Sequence, residues 1–192
     1  MKLSLSVEPL FPANSLYPGI SLSSWFNPLP PLYFIGNIEL FQLPLIALYC
    51  SRKCPGDAIL KAFDLARDLR DTGSPVISGF HTPVEKDMLD ILLKGKGPIV
   101  VCPARGLEGM RIPKAIAGAI QQERLLLLSI FPGNICRITK ETAHQRNLFV
   151  ASLAMERVFI HMEPGGETFW VAEELKNQIV EKNKFELPEN HE

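Results

Sequence analysis

Five short apolar runs, none interrupted by a charged or small polar residue, are spaced along this chain with a helical pattern after each. They are Leu45-Ile-Ala-Leu-Tyr49, Val76-Ile77, Ile99-Val-Val-Cys102, Leu125-Leu-Leu-Leu128 and Val158-Phe-Ile160. A strand with one wet face alternates apolar and polar residues, whereas a strand covered on both faces does not. Residues 57–71 place Ile59, Phe63, Ala66 and Leu69 on one helical stripe. Thr82-Pro-Val-Glu85 is a capping box with Pro at the first helical position, followed by Val84, Met88 and Leu92 on one face. Further helices are expected over 112–124, 139–154 and 168–181. Strand and helix in strict alternation mean βαβ units joined by right-handed crossovers. The expected fold is therefore α/β: a Rossmann-like, three-layer arrangement of a parallel sheet with helices on both faces.

Residues 1–44 read differently. Seven prolines (Pro9, Pro12, Pro18, Pro28, Pro30, Pro31 and Pro44) leave no room for a sustained helical period. This segment is expected to be a Pro-rich extended arm packed on the domain. Within it, Pro31-Leu-Tyr-Phe-Ile-Gly-Asn37 reads as a short strand ending in a turn. Trp25, Phe26 and Tyr33 are expected to pin the arm down rather than to stack on a ligand. The division is 1–44 for the arm, 45–183 for the Rossmann-like domain and 184–192 for a polar tail.

The formal charge of −1, from 20 basic and 21 acidic residues, excludes a surface that is basic all over. Any contact with nucleic acid must come from a local cluster of arginines. Pro and polar residues interrupt every apolar stretch before it reaches membrane-spanning length, and Glu8, Pro9, Pro12 and Asn14 break any signal-peptide core. The expectation is a cytoplasmic protein. Cys50 and Cys54 have no second close pair to complete a zinc site, so all four cysteines, with Cys102 and Cys136, read as reduced structural thiols.

In open parallel sheets ligands bind outside the carboxyl ends of the strands, so the loops after the apolar runs are where chemistry is expected. After the first run stand Ser51, Arg52 and Lys53. After the second, Ser78-Gly79-Phe80-His81 leads into the capped helix, whose free N–H groups favour an anion. Arg105 follows the third run, Ser129 and Arg137 the fourth, and Gly165-Gly166 forms a tight turn after the fifth. Arg146-Asn147 lies on the helix between the fourth and fifth strands. Each feature alone is ordinary, since a loop glycine is usually a turn and a loop arginine a solvated charge. Together they point to phosphate. A G-x-G-x-x-G fingerprint is missing after the first strand, which argues against NAD or FAD, and no cofactor is expected. His161 and Glu163 lie beside the Gly turn without a nucleophile to activate, and read as structural. No catalytic residue and no metal ligand set is assigned.

Several of these segments are similar to a known family. Pro31-Leu-Tyr-Phe-Ile-Gly-Asn-Ile-Glu-Leu40 followed by the run ending in Cys50-Ser51-Arg52 resembles the lead and the "GSR" or "GTR" strand end of the DprA/Smf DNA-processing proteins. Ser78-Gly79 matches the start of that family's second-strand loop, with Phe80-His81-Thr82-Pro83 in place of its later Gly and Asp. Ser129-Ile-Phe-Pro132 stands for its "SE-x-P" loop without the Glu, and Arg146-Asn147-Leu-Phe-Val-Ala151-Ser-Leu153 for its "RNR-x-IA-x-LS" helix. The pieces agree in order over roughly residues 30–175. The resemblance implies a Rossmann-like domain that binds single-stranded DNA in natural transformation and helps load a RecA-type recombinase, with Ser51, Arg52, Ser78, Gly79, Arg146 and Asn147 lining the site. A homo-oligomer is a further candidate partner state. The Pro164-Gly-Gly-Glu-Thr168 turn is also similar to the loop of the LOG phosphoribohydrolases, with Glu173 or Glu174 in the acid position. That family's Arg-bearing helix motif is not found. A nucleotide sensor or a nucleoside-monophosphate phosphoribohydrolase is accordingly the alternative to a non-enzymatic DNA-binding protein.

Overall fold

The computed structural model describes residues 5–185. The start of the expected arm, residues 1–4, and the expected tail beyond residue 185 lie outside the described residues. The strands are β1 (Glu8–Leu10), β2 (Leu32–Gly36), β3 (Ile46–Cys50), β4 (Val76–Ser78), β5 (Ile99–Val101), β6 (Leu125–Ser129) and β7 (Glu156–His161). The helices are α1 (Gly19–Ser23), α2 (Gly56–Thr72), α3 (Pro83–Leu92), α4 (Lys114–Gln121), α5 (Lys140–Leu153) and α6 (Glu167–Phe185), with a 3-10 turn at Ile38–Gln42. They form one sheet in the order β1-β2-β6-β5-β4-β3-β7. The five strands from β6 to β7 are parallel, as the unbroken apolar runs require.

Handedness settles where the helices go. From β3 through β4 and β5 to β6 the chain steps in one direction, and right-handed crossovers put α2, α3 and α4 on one face. The step from β6 to β7 runs back past β3, so α5 lies on the other face. The core divides accordingly. Leu48, Cys50, Val76, Ile99, Val101, Leu125 and Leu127 pack with Ala62, Ala66, Met88 and Ile120. Ala47, Tyr49, Ile77, Val100, Leu126 and Leu128 pack with Leu22, Phe41, Phe149 and Val150. Each strand therefore feeds apolar side chains to both layers, by the alternation of a pleated strand.

The proline-rich segment does more than lie on the domain. Strand β2, at the position expected for the short strand, pairs antiparallel with β6 from Tyr33–Ser129 to Gly36–Leu126, and β1 pairs antiparallel with β2. The sheet is thus mixed at this edge. Pairing across a distant segment leaves no trace in local periodicity. Phe26 packs edge-on against Phe149 at 6.5 Å, and Tyr33 joins the core on the opposite face. Helix α4 is shorter than the apolar pattern suggests: Pro113 caps its start, and Glu123 with φ 57° cannot continue it. Of the four free thiols, Cys50 and Cys102 are buried, Cys54 is half-buried with its sulfur 3.5 Å from that of Cys50, and Cys136 is exposed. No described helix is long and apolar enough to cross a membrane.

Gly36 closes β2 at φ 112°, where a Cβ would fall 2.5 Å from the carbonyl oxygen of Leu125. That oxygen belongs to the backbone of the next strand and has little freedom to retreat. Gly36→Ala is expected to destabilise the protein by about 2 kcal/mol or more, from backbone strain and close contact together. Urea unfolding followed by circular dichroism measures it, and an unchanged midpoint would show that β2 is not seated on β6 in this way.

Candidate functional site

Reversal of strand order occurs where β7 lies beside β3. The loop leaving β3 turns to one face and the loop leaving β7 to the other, which opens a crevice between them at the carboxyl ends. A cleft of about 390 Å³ occupies this place, walled by the β3–α2, β4–α3 and β7–α6 loops and by α5. Ser51, Arg52, His81, Arg146, Asn147 and Gly166 line it, and Gly165 lines an adjoining groove. Residues from four separate places in the sequence are thereby brought together.

Arg146 is the centre of the site. Its side chain is 5% exposed. Nε donates to Oδ1 of Asn147 at 2.8 Å, and Nη1 donates to the carbonyl of Cys102 at 2.9 Å. Nη2 has no hydrogen-bond acceptor among the described residues, and no carboxylate lies within ion-pairing distance of the guanidinium. A buried cation without a counter-charge is held against a large desolvation penalty, and an anion entering the cleft relieves it. Gly79 is what admits the guanidinium: a Cβ there would stand 1.5 Å from Nη1 and 2.0 Å from Cζ of Arg146. Its absent side chain is occupied by protein, not by ligand. Tyr49 steadies the same helix, donating from its hydroxyl to the carbonyl of Asn147 at 2.9 Å, while its ring stacks on Phe159 at 4.8 Å. Burial pushes the Tyr49 phenol well above its ordinary range, so it remains a donor at any physiological pH.

Glu85 organises the opposite wall. Its buried carboxylate accepts from the backbone N–H of Cys50 at 3.1 Å, of His81 at 2.9 Å and of Thr82 at 3.2 Å. The bond to Cys50 ties the end of β3 to the start of α3. The capping box was legible in the sequence; the reach to Cys50, 35 residues away, was not. Ser51 plays a similar part, its Oγ accepting from the N–H of Glu163 at 2.9 Å beside a register shift between β3 and β7. Its hydroxyl proton is left over for a ligand.

The remaining expected residues separate by role. Ser78 donates to the carbonyl of Leu48 at 2.7 Å and accepts from the N–H of Phe80 at 3.3 Å, which occupies its hydroxyl within the loop. Phe80, at φ 44°, turns its buried ring into the core with Val84, Leu89 and Val101 and shows the cleft no side chain. Arg105 is not among the residues lining the cleft: it lies beyond β5, with Nε on the carbonyl of Gly106 at 3.2 Å. His81 faces the cations. Burial, then the charges of Arg146 and Lys86, hold its imidazole below the usual histidine value, and Arg52 adds to the effect.

Lys53, which stands with Arg52 on the loop after the first strand, and Lys86 complete the positive wall, and sequence patterning gave no reason to prefer Lys86 over other lysines. Arg52, Lys53, Lys86 and Arg146 have no ion-pair partner among the described residues. Two of the three carboxylates of the wall are by contrast engaged. Glu85 holds three N–H groups and Glu167 pairs with His144 at 2.5 Å, whereas Glu163 stands 3.7 Å from Nε2 of His161, too far for a hydrogen bond, and keeps its carboxylate oxygens unbonded among the described residues at the rim. Thr168, buried in the wall, has a hydroxyl with no hydrogen bond among the described residues. The cleft thus offers unpaired cations and the start of α6 at Glu167, whereas the N–H groups at the start of α3 are taken by Glu85 and Thr82; unpaired cations beside a helix start suit phosphate. Glu173 and Glu174 are tied to Lys176 and His144 and do not line it. No group of three or more metal-ligating side chains occurs among the described residues.

Fold and cleft together define a Rossmann-like protein whose ligand crevice opens at the reversal of strand order. The chain belongs to the DNA recombination-mediator protein A family, whose profile matches residues 8–180. Among solved structures, DNA processing protein A from Streptococcus pneumoniae superposes with a TM-score of 0.71 at 18% identity, over 90% of this chain. DNA processing protein A from Helicobacter pylori, described for its single-stranded DNA binding mode, gives 0.59 at 20% identity over 83% of this chain. The chain spans 60% of the pneumococcal protein and 71% of the Helicobacter one. A comparison with curated protein sequences finds no match. The family resemblance carried by the short motifs is thereby established, and so is the α/β fold.

Inorganic phosphate is expected to raise the melting temperature, because a ligand of the native state stabilises by RT ln(1 + [L]/Kd), about 2.7 kcal/mol at a hundred times Kd. Arg146→Met should remove most of that gain, since a charge-assisted hydrogen bond contributes about 1.5–3 kcal/mol. Gly79→Ala should do the same while leaving the protein folded, because the atoms a new Cβ meets most closely all belong to the guanidinium of Arg146 and none is backbone. Equal phosphate shifts in all three proteins, read by differential scanning fluorimetry, would remove Arg146 from the site.

Proposed function

We propose that this chain binds single-stranded DNA through its phosphates, without sequence readout and without catalysing a reaction. It would act as a DNA-processing protein in the uptake and recombination of transforming DNA. The observation that carries the reading is the buried Arg146 guanidinium, open to the cleft and lacking a carboxylate partner. Family membership supplies the nature of the polymer, and the binding mode described for the Helicobacter protein supports the single strand.

The backbone phosphates lie across the starts of α3 and α6 and are met by Arg52, Lys53, Lys86 and Arg146. Ser51 donates its remaining hydroxyl proton. Glu85, Ser78 and Tyr49 take no part in contact; they hold the loops and α5 so that the cations need not reorganise on binding. A RecA-type recombinase as protein partner, self-association and a cytoplasmic location belong to the same reading and rest on family membership alone. Base hydrolysis from a nucleotide would need an acid directed into the cleft from α6, and both acids at that position are engaged elsewhere.

Fluorescence anisotropy with a labelled oligonucleotide tests the reading directly. Binding should weaken steeply with salt, and Arg52→Ala should lower the salt slope by about 0.7, the share of one phosphate on a single strand. No binding at low salt would sink the proposal. A pH titration adds an independent check. Burial and then the cations depress His81 in the free protein, and a bound phosphate counters the influence of the cations, so binding takes up a proton. Affinity should therefore rise as pH falls from about 8 to about 6, across the histidine range, and His81→Gln should flatten the profile.

A further inference from the structure

We infer that Trp170, with Ile138 opposite, forms a stacking platform for one nucleobase of the bound strand; the inference rests on the phosphate-binding reading above. Trp170 lies in the first turn of α6 and is 53% exposed, an unusual state for the largest apolar side chain. The indole is nevertheless held in place. Its Nε1–H donates to the carbonyl of Gly165 at 3.1 Å, and its ring meets Phe169 edge-on at 5.3 Å and 79°. With the polar handle satisfied by protein and the orientation set, what faces solvent is an apolar aromatic surface that needs a partner.

The surroundings identify that partner. Trp170 lines a groove of about 530 Å³ together with Ile138, itself 43% exposed, and with Lys140, Arg52 and the Gly165-Gly166 turn. Two apolar side chains thus stand beside two cations that have no ion-pair partner among the described residues. The one carboxylate in the groove, Glu167, is engaged by His144. A flat apolar group carried on an anionic chain fits this combination, and a nucleobase on its phosphodiester backbone is that group. The groove shares Arg52, His81, Ala143, Gly166 and Glu167 with the phosphate cleft, so the two are continuous. A strand with one phosphate at Arg146 and Arg52 places a neighbouring base over the indole. Stacking accepts any base, which agrees with binding that lacks sequence readout.

Two oligonucleotides of equal length separate bases from phosphates: oligothymidylate and its abasic counterpart. In a Trp25→Phe background Trp170 is the sole tryptophan, and its emission should be quenched by oligothymidylate but not by the abasic strand. Trp170→Ala should weaken oligothymidylate binding about tenfold, within the range for loss of one stacked base, and leave abasic affinity and the salt slope unchanged. Trp170→Phe should restore most of the loss. Wild-type affinity in Trp170→Ala, an equal loss on the abasic strand, or emission indifferent to the base would overturn the platform while leaving phosphate binding intact. Should the wild-type protein bind neither strand, the phosphate reading itself fails and the platform falls with it. If Trp170→Ala does not fold, quenching in the folded Trp25→Phe protein decides alone.

Discussion

Arg146 is buried with its guanidinium between the ends of β4 and β5, bonded to a side-chain amide and a main-chain carbonyl but to no acid. Much of the surrounding architecture is explained by keeping it there. Gly79 leaves the space it occupies, and Tyr49 fixes the helix that carries it. The carbonyl of Cys102 is available because β5 ends beside β4 in the parallel order. A cation in this position opposes folding unless an anion joins it, so the arrangement makes sense as stability traded for binding.

Around that charge, the polar residues at the strand ends are mostly engaged with one another. Glu85 closes three N–H groups, Ser78 bridges Leu48 and Phe80, and Ser51 joins β3 to β7. Such closure gives loops that hold their shape before a ligand arrives, which lowers the ordering cost of binding. The groups left open are cations, the hydroxyl protons of Ser51 and Thr168, the start of α6 and an indole face. The division between engaged and open groups separates scaffold from contact surface more sharply than residue type does: Ser51 and Ser78 are both strand-end serines, yet only one has a proton to offer.

Legibility in the sequence followed the range of the interaction. The capping box of α3, the strand at 32–36 and the five parallel strands are written in neighbouring residues and were readable, although β7, at the sheet edge, is only half-buried. Arg52, His81 and Arg146 were named because they sit at strand ends or match a motif, and the fold brings them together in the cleft. Phe80 and Arg105 were named by the same rule, and the fold turns one into the core and leaves the other outside the cleft. Lys53 was noticed only as a neighbour of Arg52, and Lys86 and Trp170 passed unremarked, since an exposed lysine or a helix-borne tryptophan has no local signature of a site. Trp25 and Tyr33 drew notice as aromatics in the proline-rich segment, and Tyr33, half-buried, packs against the core.

The sequence by itself determined the layering, because an unbroken apolar run states that a strand is covered on both faces, and it determined that ligands belong at the carboxyl ends. Motifs in their order determined the family. Only the tertiary structure decided that the proline-rich segment supplies two strands to the sheet, and that Glu85 serves Cys50 as well as its own helix. It alone decided that Ser51 meets Glu163 across 112 residues and that Arg146 is buried without an acid. The physical reason is that burial pattern is a property of near neighbours along the chain. Which charges end up unpaired depends on strand order, and that order joins residues far apart in the chain.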